Sequence, residues 1–283
     1  MSTDTLILNG QTVADFMKED MASKVAILKE KGIQPCLATI LVGDDPSSAT
    51  YVRMKGNACA RLGVHSIKVV LSADTSTDEL IQEINKLNED PSVHGILLQH
   101  PVPNHIDERA AFDAISIEKD VDGVTTLGFA LNAFGEAEFP SCTPQAIMRI
   151  LDFYNIQIEG KHAVVIGRSP ILGKPVSAML LNRNATVTTC HSKTVNLEEI
   201  VKLGDIIIAA VGKPLFVKGD WIKPGAVVID AGYNKGNVGD VDYEACFVPS
   251  SAITPVPGGV GPVTIATLIE HTIKSAYKLS ENA

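Results

Sequence analysis

The chain has 283 residues, enough for two domains at roughly 150 residues each. A hydrophobic content of 45% with 20% charged residues supports a sizeable globular core. A formal net charge of -9 argues against a general binder of nucleic acid or of anionic membranes, so an anionic ligand has to meet a local cluster of donors. The five cysteines, Cys36, Cys59, Cys142, Cys190 and Cys246, form no C-x-x-C pair, and neither a disulfide framework nor a metal site is expected. The N-terminal residues carry no basic and apolar leader, and no apolar run approaches the roughly 18 residues of a membrane span. A cytoplasmic, reduced protein is expected.

In chain order, Val13, Phe16, Met17, Met21, Val25 and Leu28 recur at helical spacing and predict an amphipathic helix stopping at Gly32. Three short apolar runs follow, CLATILVG from Cys36, SIKVVL from Ser66 and VHGILLQ from Val93. Helix-length segments separate them, the first starting at Asp45-Pro46 and stopping at Gly63, the second starting near Ser76 or Thr77. This alternation predicts a parallel sheet covered by helices. From Asp120 to Thr143 the periodicity weakens, and the stretch reads as a connection between domains. A helix from Pro144 to Tyr154 leads into a second βα series. Its strands are HAVVIG from His162, ATVTTC from Ala185, DIIIAAV from Asp205 and AVVIDAG from Ala226, and a last helix runs from Pro262 to about Leu279.

The run HAVVIGRSPILGKPVSAMLL places a buried strand, a glycine turn and a helix with Pro175 near its start, a context in which backbone N–H groups receive a phosphate. Gly167 permits close backbone approach and Gly173 lets helix and strand meet. The spacing is not G-x-G-x-x-G, and five residues between the glycines exclude a P-loop, so a plain βα connection stays open on the turn alone. The next strand end, TVTTCHSKT, lacks the acid that holds a ribose 2′-OH about 20 residues past the glycines in NAD enzymes. Arg168, Ser192 and Lys193 instead suit a 2′-phosphate, which favours NADP over NAD. His191 is either a ligand or a loop residue.

In the first half, Tyr51 and Lys55 stand at i and i+4 on one helical face with Ser48 a turn before. A lysine in a dry pocket becomes a usable acid/base, although a surface lysine packed on a tyrosine is the commoner arrangement. The Y-x-x-x-K pair of short-chain dehydrogenases follows its nucleotide turn, whereas this pair precedes it, so that reading is poor. Gln99 ends a strand, Asp122 sits in KDVDGV, and TPVPGGVGP from Thr254 precedes the last helix. Singly these are a strand-end amide, a turn aspartate and a loop; together they fall at sheet ends or at the domain junction.

Jointly, VGDDPSSATYVRMK, QHPVP from Gln99, KDVDG, SCTP, VVIGRSPILGKP, ATVTTCHSKT, KPGAVVIDAG and TPVPGGVGPVTIATL resemble, in order and over nearly the whole chain, the methylenetetrahydrofolate dehydrogenase/methenyltetrahydrofolate cyclohydrolase family. The resemblance implies an α/β fold of two domains with a cleft between them. An N-terminal βα domain with a parallel sheet, residues 1–139 plus 262–283, would bind folate, and a Rossmann-type domain, residues 140–261, would bind NADP. It implies a homodimer that oxidises methylenetetrahydrofolate with NADP and hydrolyses the methenyl product to 10-formyltetrahydrofolate. Lys55 would be the general acid/base, Gln99 its orienting partner, Tyr51 a stacking residue, and Asp122 the grip on the pterin's amino-substituted edge. Ser48, Pro255, Gly258 and Gly259 would contact folate; Gly167, Arg168, Ser169, Ser192 and Tyr233 would contact NADP.

Five residues depart from the usual pattern. His100 stands where Leu is usual, Val124 for Phe, Ser141 for Pro, and Ala231 and Tyr233 depart from IDVGI. None removes a named catalytic group; His100 bears on the balance of the two activities. A dehydrogenase with impaired cyclohydrolase and a catalytically silent folate- or nucleotide-binding paralogue are the alternatives.

Overall fold

The computed structural model describes residues 5–281; residues 1–4, on which part of the expected absence of a leader falls, lie outside the described residues. In chain order the elements are β1 (Leu6–Ile7), α1 (Gly10–Glu30), β2 (Cys36–Val42), α2 (Pro46–Arg61), β3 (His65–Leu71), α3 (Thr77–Glu89), β4 (Gly95–Leu98), α4 (Glu108–Asp113), α5 (Thr126–Phe134) and α6 (Cys142–Phe153). They continue with β5 (His162–Ile166), α7 (Gly173–Asn182), β6 (Thr186–Cys190), α8 (Leu197–Val201), β7 (Ile206–Ala209), β8 (Ala226–Asp230), α9 (Tyr243–Phe247), β9 (Ser250–Ile253) and α10 (Val260–Glu281). The chain forms two compact units.

One unit comprises, among the described residues, 16–131, 137–142 and 265–281. Its sheet has the order β3-β2-β4 with all strands parallel. The central strand CLATILV is buried at every position, as expected of a parallel strand covered on both faces. Local chemistry sets the helix starts: Asp45 accepts the Ser48 N–H at 2.7 Å with Pro46 at the first helical position, and Ser76 and Glu79 form a reciprocal capping box. The last helix packs on β4 at Gly95, where an added Cβ would meet the Thr272 hydroxyl at 3.1 Å.

The other unit comprises, among the described residues, 5–15, 132–136 and 143–264. Six parallel strands run in the order β1-β9-β8-β7-β5-β6. β5 has β6 on one side and β7 on the other, so the order reverses there, the position at whose strand carboxyl ends open α/β sheets receive ligands. The core of this unit is built from β5, β7 and β8 residues such as Val164, Ile166, Ile207 and Val228.

Both βα series lie where their hydrophobic runs predict. The stretch Asp120–Thr143 differs: it is no plain connection but holds α5 and the start of α6. The sequence TLGFALNAF is apolar almost all round, so it shows no helical period, and Gly128 and Gly135 read as breaks. Its first turn is held by the Thr125 hydroxyl, which accepts the Gly128 N–H at 2.8 Å.

Candidate active site

Because α2 begins directly after the loop leaving β2, its first turns stand at the carboxyl edge of the sheet. Ser48 is buried on this helix, and Tyr51 and Lys55 are half-buried. Gln99 follows β4, and its N–H donates to the Ile40 carbonyl at 2.9 Å, which extends the ladder with β2 by one residue. The Gln99 side chain is only 8% exposed. Its Oε1 accepts from Lys55 Nζ at 3.0 Å, and its Nε2 donates to the His100 carbonyl at 2.8 Å.

Asp122 comes from a turn that is over-determined by its neighbours. The buried Asp120 carboxylate accepts the N–H groups of Val124 and Thr125, each at 3.0 Å. Gly123 has φ +66, and a Cβ there would strike the Phe139 carbonyl at 2.7 Å, so only glycine lets the SCTP segment close on the turn. That segment then docks: the Ser141 hydroxyl donates to the Gly123 carbonyl at 2.7 Å, and the Cys142 N–H donates to the Asp122 carbonyl at 3.1 Å. The Cys142 thiol lies between the Val121 carbonyl, 3.1 Å away, and the Asp122 carboxylate. His271 of α10 reaches the same Val121 carbonyl at 2.9 Å.

Burial dominates the electrostatics of this cluster. It pushes the Asp122 carboxyl up to about 6, against the pull of the Lys55 ammonium and with the help of the Asp120 charge. Burial likewise pushes the Lys55 pKa below its ordinary value, while Asp122 opposes the shift. The arrangement therefore holds a lysine and a carboxylate that both exchange protons more readily near neutrality than their free counterparts. That is the property a proton carrier needs.

In the six-stranded unit, Gly167 follows β5 with φ +133, and an added Cβ would run into the Ala210 carbonyl. Gly173, the first residue of α7, faces Gly167 in turn: a Cβ there would sit 2.8 Å from the Arg168 nitrogen. The Gly167 N–H donates to the Cys190 carbonyl at 2.9 Å, which places Gly167-Arg168-Ser169 beside the loop leaving β6. That loop closes on itself, the His191 N–H donating to the Thr194 hydroxyl and the Thr194 N–H to the His191 carbonyl, each at 2.8 Å. Lys193 N–H donates to His191 Nδ1 at 3.2 Å, so this ring nitrogen holds the loop. Arg168, Ser169, Ser192 and Lys193 remain exposed. The residues 191–194 carry no carboxylate.

Asp240 accepts the N–H groups of Val211, Gly212 and Lys213 at 2.6, 2.8 and 2.9 Å and so fixes the loop after β7. Tyr233, 52% exposed, follows β8 and donates to Asn237. Pro255, Gly258 and Gly259 lie in this unit after β9, where the Gly258 carbonyl accepts the Gly10 N–H at 2.8 Å. Thus Lys55, Gln99 and Asp122 gather in one unit with Ser48 and Tyr51 along α2. Gly167, Arg168, Ser169 and Ser192 gather in the other, where Tyr233, Pro255, Gly258 and Gly259 stand at further strand ends.

Two contributors had no assigned role in the sequence. Cys142 is inside the SCTP segment, yet its approach to Asp122 depends on a tertiary contact that spacing does not reveal. Glu108, whose Oε1 lies 2.6 Å from His100 Nδ1, opens a helix of only six residues with no periodicity to announce it.

Residues 8–122 match the family model for the tetrahydrofolate dehydrogenase/cyclohydrolase catalytic domain, and residues 141–280 match the model for its NAD(P)-binding domain. The chain is 67% identical to the bifunctional protein FolD of Shouchella clausii, over 97% of this chain and 99% of that protein. It is similar to the crystal structure of the bifunctional FolD enzyme of Campylobacter jejuni, with TM-score 0.94, 45% identity, and coverage of 97% of this chain and 99% of the other. The Trypanosoma brucei FolD structure, complexed with NADP and an inhibitor, gives TM-score 0.93 and 37% identity, with 99% of each chain covered. The chain belongs to the tetrahydrofolate dehydrogenase/cyclohydrolase family.

Proposed function

We propose that the protein is a bifunctional methylenetetrahydrofolate dehydrogenase and methenyltetrahydrofolate cyclohydrolase using NADP. The observation that carries this reading is the Lys55–Gln99 contact at 3.0 Å beside the half-buried Asp122. NADP supplies the acceptor for the hydride that leaves the methylene carbon. The site after β5 and β6 fits it: Gly167 and Gly173 let the turn pack closely on the loop after β7 and on the start of α7, exposed Arg168, Ser169, Ser192 and Lys193 offer donors to phosphate, and no carboxylate competes in the 191–194 loop. Tyr233 stands at the next strand end but one and is assigned to the same cofactor.

Hydride transfer asks the protein mainly to hold two rings in register, and Tyr51 stacking on the pterin serves that. Asp122 accepts two N–H bonds from the pterin's amino-substituted edge. Ser48, Pro255, Gly258 and Gly259 are assigned to folate contact. In the hydrolytic step neutral Lys55 takes a proton from the water whose oxygen attacks the methenyl carbon. The ammonium then returns a proton to N5 as the carbon–N5 bond breaks, the remaining hydroxyl proton leaves to solvent, and the formyl group stays on N10. The cationic substrate lowers the lysine's pKa further, which favours the neutral form at the start of the step. Gln99 orients Lys55 through its carbonyl oxygen.

Incubation with methylenetetrahydrofolate and each nicotinamide cofactor tests the reading: NADP reduction with formyltetrahydrofolate as the end product is expected. Methenyl accumulation would point instead to an impaired cyclohydrolase, and no turnover with either cofactor to a silent paralogue. The folate domain is assigned to residues 1–139 plus 262–283 and the NADP domain to 140–261, to be checked by whether a 140–261 fragment binds NADP alone. A homodimer is also proposed, supported by β3, one of the two edge strands of the three-stranded sheet; a monomeric mass in light scattering rules it out. Five free, buried thiols support a cytoplasmic setting, which fractionation checks. Among the described residues no helix is long and apolar enough to cross a membrane.

A further inference from the structure

The geometry points to His100 and Glu108 as a positioning pair for Lys55, acting through the Gln99 amide. The inference rests on the acid/base role given to Lys55 above. A glutamine side chain presents either an oxygen or an NH2 group, and only its partners decide which. Toward the Lys55 ammonium it has to present Oε1, which leaves Nε2 in need of an acceptor. The His100 carbonyl is that acceptor at 2.8 Å. Where this carbonyl points therefore decides whether Lys55 meets an oxygen.

His100 belongs to the segment QHPVP, in which Pro101 and Pro103 have no N–H to tie the backbone down. Glu108 does the tying. Its Oε1 accepts from His100 Nδ1 at 2.6 Å, and its carboxylate also accepts the Val102 N–H, so the chain is held on both sides of Pro101. The base is itself anchored. Asp107 caps α4 through the Ala110 N–H at 3.0 Å, and its own N–H donates to the Thr77 hydroxyl at 2.9 Å. Next to Glu108, Arg109 donates to the Val124 carbonyl at 2.6 Å, in the turn that carries Asp122. The first turn of α4 thus holds both sides of the proton-carrying cluster.

Glu108→Ala and Glu108→Gln test the pairing, with methenyl hydrolysis and NADP-dependent oxidation measured separately on the full chain. Glu108→Ala is expected to lower kcat for hydrolysis about tenfold, the size of effect expected of misplacing a proton carrier rather than deleting it. Folate KM and the dehydrogenase kcat should stay within about twofold, so that methenyl accumulates during coupled turnover. Glu108→Gln keeps one acceptor oxygen of the two, so it should recover part of the hydrolysis and fall between the parent and Glu108→Ala. Unchanged hydrolysis in Glu108→Ala overturns the proposal, as do an equal fall of both activities and a Gln variant as impaired as the Ala variant. Lys55→Met separates this from the parent reading. If Lys55→Met hydrolyses normally, the role of Lys55 is wrong; if it is inactive while Glu108→Ala is normal, only the pairing is wrong.

Discussion

Asp122→Asn tests the candidate site in two opposite directions at once. The carboxyl is pushed up to about 6 by burial, even after the attraction of Lys55 is counted. At pH 7.5 a group with that pKa is about 97% ionised, so the charged form that the pterin edge needs is present. Asparagine keeps the shape, loses the charge, and turns an N–H toward the ligand's own donors. Hydrogen bonds to a charged group contribute about 1.5–3 kcal/mol, so folate KM should rise roughly 10- to 150-fold while NADP KM stays within about twofold. In the parent protein kcat/KM for folate should fall as pH drops through about 6, and Asp122→Asn should lack this acid limb.

Stability should move the other way. The folded-state pKa lies above the usual value of 3.8, so folding favours the protonated carboxyl, and this group opposes folding above about pH 6 and ceases to as pH falls below 4. The shift corresponds to a ceiling of about 3 kcal/mol, reduced by screening because Asp122 is only partly hidden from solvent. At pH 7.5 Asp122→Asn should therefore raise Tm in calorimetry while it damages binding. A folate KM within threefold of the parent's, or a retained acid limb, refutes the assigned grip; a lowered Tm refutes the electrostatic account.

Lys55→Met should lower methenyl hydrolysis by roughly 10²- to 10⁴-fold, the usual contribution of a positioned acid/base, while NADP still binds in a fluorescence titration; undiminished hydrolysis removes Lys55 from the mechanism. Arg168→Ala should weaken NADP at least about tenfold, the loss of one charge-assisted contact, with little change for NAD, and equal weakening of the two sinks the 2′-phosphate assignment. Lys119→Met should lower Tm, because the Lys119 ammonium is buried and donates to the carbonyls of Leu87, Asn88 and Asp90 at 3.0, 2.8 and 2.7 Å, closing the end of α3. Removing those bonds should cost about 1–3 kcal/mol, and an unchanged melting curve contradicts that role.

The architecture was legible where burial imposes a pattern. CLATILV and the IIIA of β7 are covered on both faces and so read as continuous apolar runs, and the caps Asp45 and Ser76 mark the starts of α2 and α3. β1 has two residues and β9 reads SSAI, with two serines and a register shift beside Ala226, so neither shows a strand pattern. α4 is too short for periodicity and α5 too apolar. Of the site, Lys55, Gln99 and Asp122 were legible as chemistry at strand and helix ends. The thiol of Cys142 and the carboxylate of Glu108 were not, since each matters only through a partner brought near by the fold.

KDVDG shows why a motif identifies a site more firmly than any one of its residues does. Three ionisable side chains within four positions have three different tasks. Lys119 points into the end of α3 and Asp120 turns back to hold the N–H groups of Val124 and Thr125. Only Asp122 stands by Lys55, on a turn closed by a glycine with positive φ. The first two bury charge so that the third is aimed, and burial raises the pKa of the structural Asp120 as well as that of Asp122. A shifted carboxyl therefore does not by itself mark the reacting group here. What separates them is hydrogen bonding: Asp120 spends its oxygens on its own backbone, whereas Asp122 is set between a thiol and an ammonium. An Asp120→Asn substitution should accordingly unseat the turn and lower Tm, the opposite sign from Asp122→Asn, because the amide cannot accept both N–H groups.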